Sequence, residues 1–184
     1  MQEHAGNDRR DFAAMAQQSP RQQSSPAREQ ELVIPISDRS DQPPWSLERL
    51  RRAVIAICGD AGFRSGEISI AIVGSREMQD VHRRFLGDDS PTDVIAFPLN
   101  ASSTYLEGEI VVCWEVSRES ASQFQWRAED ELLLYVVHGA LHLVGYNDTS
   151  DQAFQSMRSA EEKYLGTFNL TLIGRDQSAH PGEY

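Results

Sequence analysis

Residues 128–148 read AEDELLLYVVHGALHLVGYND. The stretch predicts the longest apolar helix of the chain, over 128–145. Two histidines interrupt it, His138 and His142. They are four residues apart, so they lie on one helix face about one turn from each other. Two imidazoles at that spacing can bind one metal ion. Flanked by Val137, Leu141 and Leu143, they need partners, because an unpaired buried polar group costs roughly 1–3 kcal/mol. Gly145 follows His142 by three residues and is a natural left-handed cap that ends the helix and doubles the chain back. Asp148 can then return to the same ion. Zinc accepts two nitrogens and a carboxylate well, and three protein ligands leave one position for water.

The spacing H-x-x-x-H-x-x-G-x-x-D resembles the metzincin ligand pattern with aspartate last. Zinc proteases of that spacing carry a glutamate directly after the first histidine as general base. Here Gly139 stands in its place, so a peptidase reading loses its base.

Working outward, ELVIPI opens the folded part near Glu31, and Pro35 directs this short strand to a sheet edge. Ser46 can cap a helix with Leu47, Leu50, Val54 and Ile57 on one stripe, ended by Gly62. EISIAIVG (67–74) alternates and is β-branched, a strand. A helix over 75–86 turns Met78, Val81 and Phe85 inward. TDVIAFP (92–98) is a strand stopped by proline and GEIVVC (108–113) another. Helices follow at 114–125, 128–145 and 150–165, the last with Thr149 and Gln152 as a capping-box pair. The order β α β α β β α α α suits an α+β domain, a small mixed sheet packed with about five helices. The domain spans 31–170. Residues 1–30, rich in glutamine, serine and proline, read as a disordered tail, and 171–184 as a C-terminal tail.

The net charge of −11 is unevenly spread. Residues 31–87 carry eight acidic and eight basic groups, whereas 88–162 carry 14 acidic groups against Arg118, Arg127 and Arg158. This argues against a protein that coats nucleic acid through a large positive field. Cys58 and Cys113 exclude a disulfide-dense scaffold and an all-cysteine zinc cage, and read as small buried apolar residues. No stretch is long enough in apolar residues to cross a membrane or to serve as a secretory signal, so a cytoplasmic location is expected.

Three segments together carry a resemblance. HGALHLVGYND (138–148), SPTDVIAFP (90–98) and GEIVVC (108–113) are similar to signatures of the YbeY family of single-strand endoribonucleases, the ribosomal RNA maturation factors. The resemblance covers about 47–165. It implies a mixed four-stranded sheet with helices around it and a metal site on the long helix in the C-terminal half. It also implies one Zn2+ per chain, no organic cofactor, and hydrolysis of RNA phosphodiester bonds in late small-subunit maturation and ribosome quality control. The implied partners are ribosomal RNA and small-subunit ribosomal proteins. Carried over by position, the metal ligands are His138, His142 and Asp148, the last replacing the family's third histidine. The substitution adds negative charge beside the ion. Many members carry an arginine six residues before the threonine of P-T-D-V; here that position is Leu86. Arg83 and Arg84, on the same helix, are the candidate RNA contacts in its stead, and Arg49, Arg51 and Arg52 could add to them. His82 reads as a surface residue, with proton shuttle as the alternative. No catalytic acid or base is identified. Two other functions stay open: a non-catalytic ribosome-associated metal-binding module, and a zinc hydrolase of another substrate such as peptide.

Overall fold

The computed structural model describes residues 31–40 and 45–172. The tail expected over 1–30, and that at the C-terminus from residue 173, lie outside the described residues. The elements are β1 (Leu32–Val33), β2 (Ile36–Asp38), α1 (Leu47–Asp60), β3 (Ser65–Val73), α2 (Ser75–Leu86), β4 (Val94–Ala101), β5 (Tyr105–Cys113), α3 (Trp114–Phe124), α4 (Ala128–Leu143) and α5 (Asp151–Gly166). The α+β architecture with five helices is as expected.

The sheet has five strand segments in four positions. Its order is β1-β3-β5-β4, with β2 also on β3. The first expected strand is split at Pro35, which has no N–H to donate. Its two halves run along the same edge of β3, and Ile70 donates to the Pro35 carbonyl between them at 2.9 Å. The neighbours β3 and β5 are parallel, and β4 closes the other edge antiparallel to β5. β4 is not stopped by Pro98. It continues to Ala101 through an irregularity between Pro98 and Asn100. A proline is tolerated at a bulge on an outer strand, where no ladder bond is lost.

The alternation of the strands divides the core. Ile68, Ile70, Ile72, Ile110, Val112 and Val94 face α1 and α4, while Ala71, Val73, Val111 and Ile95 face Met78 of α2. Phe85 does not join them; it is 61% exposed. Both cysteines are buried, and burial pushes the Cys58 thiol up to about 12, which leaves it inert at neutral pH. Among the described residues no helix is long and apolar enough to cross a membrane.

α4 is the hub. Every residue from Asp130 to Leu141 is buried, and the helix meets α1, α3, α5, β4 and β5. It lies close on the sheet because Gly139 has no side chain. A Cβ there would come within 3.0 Å of Ile110 Cγ2 and 3.1 Å of Val94 Cγ2. This also explains the missing glutamate of the peptidase pattern: the position faces packed strand side chains. Gly139→Ala is therefore expected to destabilise the fold by about 1–3 kcal/mol through overpacking, despite the better helix propensity of alanine. A lowered urea midpoint would report it. An unchanged midpoint would mean that α4 can lift from the sheet freely.

Candidate metal centre

The site is built where α4 ends. Gly145 has φ 101°, and its N–H donates to the His142 carbonyl at 3.0 Å. Tyr146 N–H donates to the Leu141 carbonyl at 3.0 Å. This pair of bonds is a Schellman motif, which needs a left-handed residue at the position of Gly145. The reversal brings the Tyr146 carbonyl back over His142, and the His142 Nδ1 bonds it at 3.0 Å. It also returns Asp148 to the helix face that carries both imidazoles.

His138 Nε2 and His142 Nε2 are 2.8 Å apart, and Asp148 Oδ2 lies 3.7 Å from His138 Nε2. One ligand atom from each of the three residues falls within 4.8 Å of the others. A tetrahedral ion with bonds of ~2.0–2.1 Å holds its ligands roughly 3.3 Å apart, so the observed spacings bracket what such an ion needs. The outward nitrogens strengthen the case. His138 Nδ1 faces Glu161 Oε1 at 2.7 Å, and His142 Nδ1 faces a backbone carbonyl. A proton on each Nδ1 satisfies both of these bonds and leaves each Nε2 free to turn a lone pair inward. Two lone pairs do not rest 2.8 Å apart unless a positive centre lies between them, a proton on one ring or a shared metal ion. The residues present therefore fit a metal.

The electrostatics agree. Burial opposes charge on His138, but the hydrogen bond and charge of Glu161, with Asp93 and Asp148 nearby, raise its pKa above the usual histidine value. Burial and the neighbouring His138 hold His142 below it. The three acidic groups around the pair, Glu161, Asp93 and Asp148, make a site that favours a cation.

Two functional residues were not identified from the sequence. Glu161 is 1% exposed and is held by both His138 and Arg158, the latter at 2.8 Å. Its signal was available: it sits on the apolar stripe of α5 with Phe154, Met157 and Leu165, where a glutamate needs a reason. Asp93, in the middle of the TDV motif, is buried, with its carboxylate capped by the Val94 N–H at 2.8 Å. Burial raises its pKa above the usual carboxylate range.

Other expectations are corrected. His82 is not a surface residue but fully buried, and its Nδ1 meets the Ser90 carbonyl at 2.8 Å, tying α2 to the turn before β4. The cap of α5 is Ser150, whose Oγ accepts from Ala153 N–H, while Thr149 bonds the Asn147 side chain. Arg83 is exposed but engaged by Asp89 and Asp80. Arg49 is bound to Asp130 at the far end of α4, roughly 12 Å or more from the histidines at ~1.5 Å rise per residue.

The two histidines and Asp148 open into a cavity of about 390 Å³ that also touches Leu86 and all of 94–98. The family profile described as Endoribonuclease YbeY matches residues 36–169. The chain belongs to that family. A YbeY endoribonuclease of Rhodopirellula baltica is 36% identical over 135 residues, which cover 72% of this chain and 70% of the relative. One of Carboxydothermus hydrogenoformans is 31% identical over 75% of this chain and 96% of its own length. A solution structure from Thermotoga maritima matches with a TM-score of 0.53 and 29% identity, covering 78% of this chain and 100% of that one. Leu86, the position at which the resemblance implies an arginine, lines that cavity.

Proposed function

We propose that the protein is a zinc-dependent endoribonuclease specific for single strands, acting in ribosomal RNA processing and ribosome quality control in the cytoplasm. Ribosomal RNA and small-subunit ribosomal proteins would be its partners. The observation that carries the reading is the pair of inward Nε2 atoms at 2.8 Å with both Nδ1 atoms tied back, inside a chain of the YbeY family.

On this reading His138, His142 and Asp148 hold the ion. Zinc there would polarise a phosphoryl oxygen and bring the pKa of a water toward ~7. Glu161 fixes the tautomer and orientation of His138, and the Tyr146 carbonyl does so for His142. Asp148 is partly exposed, at 14% for its side chain, and faces the opening from which RNA would arrive. The peptidase alternative loses further ground at Gly139, where a general-base glutamate has no room.

Metal content by mass spectrometry, on protein purified without a metal-affinity tag, should give about one zinc per chain. A structured ribosomal RNA fragment should be cut by this protein and spared when a chelator is present. Full metal content without cleavage, with the protein still co-sedimenting with ribosomal particles, would favour the non-catalytic module. The third ligand has its own test. Asp148→Ala should weaken metal binding by more than about tenfold, whereas Asp148→His should retain it. Asn147 is the neighbour that could compete, and it also touches the cavity. If Asn147→Ala weakens binding more than Asp148→Ala, Asp148 is not the ligand.

A further inference from the structure

The cavity beside the histidines has an unusual wall for a site that receives a polyanion. Among the described residues that touch it, none is lysine or arginine. Arg83, on the helix that ends in Leu86, is held between Asp80 and Asp89, and Arg158 is held by Glu161 behind His138. The part of its lining that comes from α2 and β4 is apolar instead. Leu86 is 48% exposed and Phe97 is partly so, and Phe97 meets the ring of Phe85 at a centroid distance of 5.1 Å. Phe85 extends the patch, at 61% exposure. Large apolar side chains grouped in the open mark a binding surface.

The cavity touches five consecutive residues of β4, 94–98. Consecutive strand residues point to opposite faces, so a space that meets all five runs along the strand edge. β4 is the outer strand on this side of the sheet. The cavity thus joins three features: metal ligands at the end of α4, a strand edge, and an apolar wall formed by Leu86 of α2 and Phe97 of β4. Its volume, about 390 Å³, falls at the low end of ligand pockets, ~300–1,000 Å³. That admits a nucleotide-sized group but not a duplex.

We propose that this wall is a nucleobase subsite: an unpaired base of the strand whose phosphate lies at His138, His142 and Asp148 packs its face on Leu86 and Phe97, with Phe85 behind Phe97 as support. The inference rests on the RNA reading above and deepens it. Every base offers an uncharged flat face, so this contact requires a single strand but no particular sequence. It replaces charge as the source of affinity where the local charge is acidic. It also gives Leu86 a role that an arginine would fill differently: leucine holds the base, whereas arginine holds the phosphate.

The test uses the full-length, zinc-loaded chain and a short 2′-O-methyl oligoribonucleotide followed by fluorescence anisotropy, with the strand's length checked on a gel after each reading because a metal-bound water needs no 2′-hydroxyl to cut it. A second oligonucleotide has the same backbone with its bases removed. The parent should bind the base-bearing strand at least about tenfold tighter, because stacking on one side chain is worth that order of affinity. A Phe85→Ala, Leu86→Ala double variant should lose about tenfold on the base-bearing strand and nothing on the abasic one, with unchanged metal content. Leu86→Arg should lose the base preference and steepen the fall of log affinity with log salt by roughly 0.7. Equal binding of both strands by a parent that cleaves RNA would overturn the subsite and leave the nuclease reading intact. So would a double variant that binds like the parent, or that weakens on both strands alike. A metal-loaded parent that neither binds nor cleaves any RNA would overturn the nuclease reading and the subsite with it.

Discussion

Replacing His142 with alanine is expected to remove nearly all bound metal while leaving the fold in place. His142 is only partly buried, and within the protein it bonds one backbone carbonyl and the other imidazole. Losing those contacts should destabilise the apo-protein by about 1 kcal/mol. The loss of metal is far larger, because His138 and Asp148 remain as two ligands where a zinc site of this kind uses three protein donors. The fall in affinity should exceed the ~10–100-fold that follows from disturbing an outer partner, and RNA cleavage should drop to background. Mass spectrometry for metal and a thermal melt, run on one preparation, check both halves. Full occupancy in this variant would refute the ligand set.

The second large effect is expected at Glu161, which touches no ion. Its carboxylate is almost fully buried between His138 Nδ1 and Arg158 Nη1. Glu161→Leu takes away the acceptor of a buried N–H and the carboxylate of a largely buried arginine. The expected destabilisation is roughly 3 kcal/mol. Metal affinity should fall about 10–100-fold, since the His138 ring loses what fixes its tautomer. Glu161→Gln separates the two effects. Its amide oxygen can still accept from Nδ1, so most of the stability should return while metal affinity recovers only in part. A Glu161→Leu protein with normal metal affinity would show that packing alone orients His138.

The local signals in the sequence were strong where one residue sets one geometry. The β-branched alternation of β3, the helix over 75–86 and the glycine reversal at Gly145 are all found where the spacing put them. The histidine pair and Asp148 do converge, because helix periodicity and a left-handed cap leave the chain little choice. What the sequence hid depends on tertiary placement. Phe85 falls on the same helical stripe as Met78, yet it lies against the Phe97 ring of the outer strand β4 and stays largely exposed. His82 has a polar side chain on a polar-looking helix, and its burial, with the turn at Ser90 bonded to it, is set by tertiary packing. Glu161 lies 23 residues from its histidine. Leu86 was legible as a departure but not as a wall, since its meaning comes from Phe97 on another element.

The three proposed ligand positions differ in how firmly the surrounding structure grips them. His138 sits inside the hub helix, with Glu161 pressed against one nitrogen and the sheet beneath its neighbour Gly139. Asp148 hangs from an exposed turn, past a glycine with no atom near its missing side chain and next to an exposed Asn147. Evolution therefore has unequal latitude at the two ends of the site. A change at 138 would leave the buried Glu161 without its imidazole partner. On the proposed ligand set, histidine for aspartate at 148 would alter the charge of the centre while the architecture stays as it is. The site can be retuned from its rim, so a lineage could adjust its chemistry there without rebuilding the scaffold.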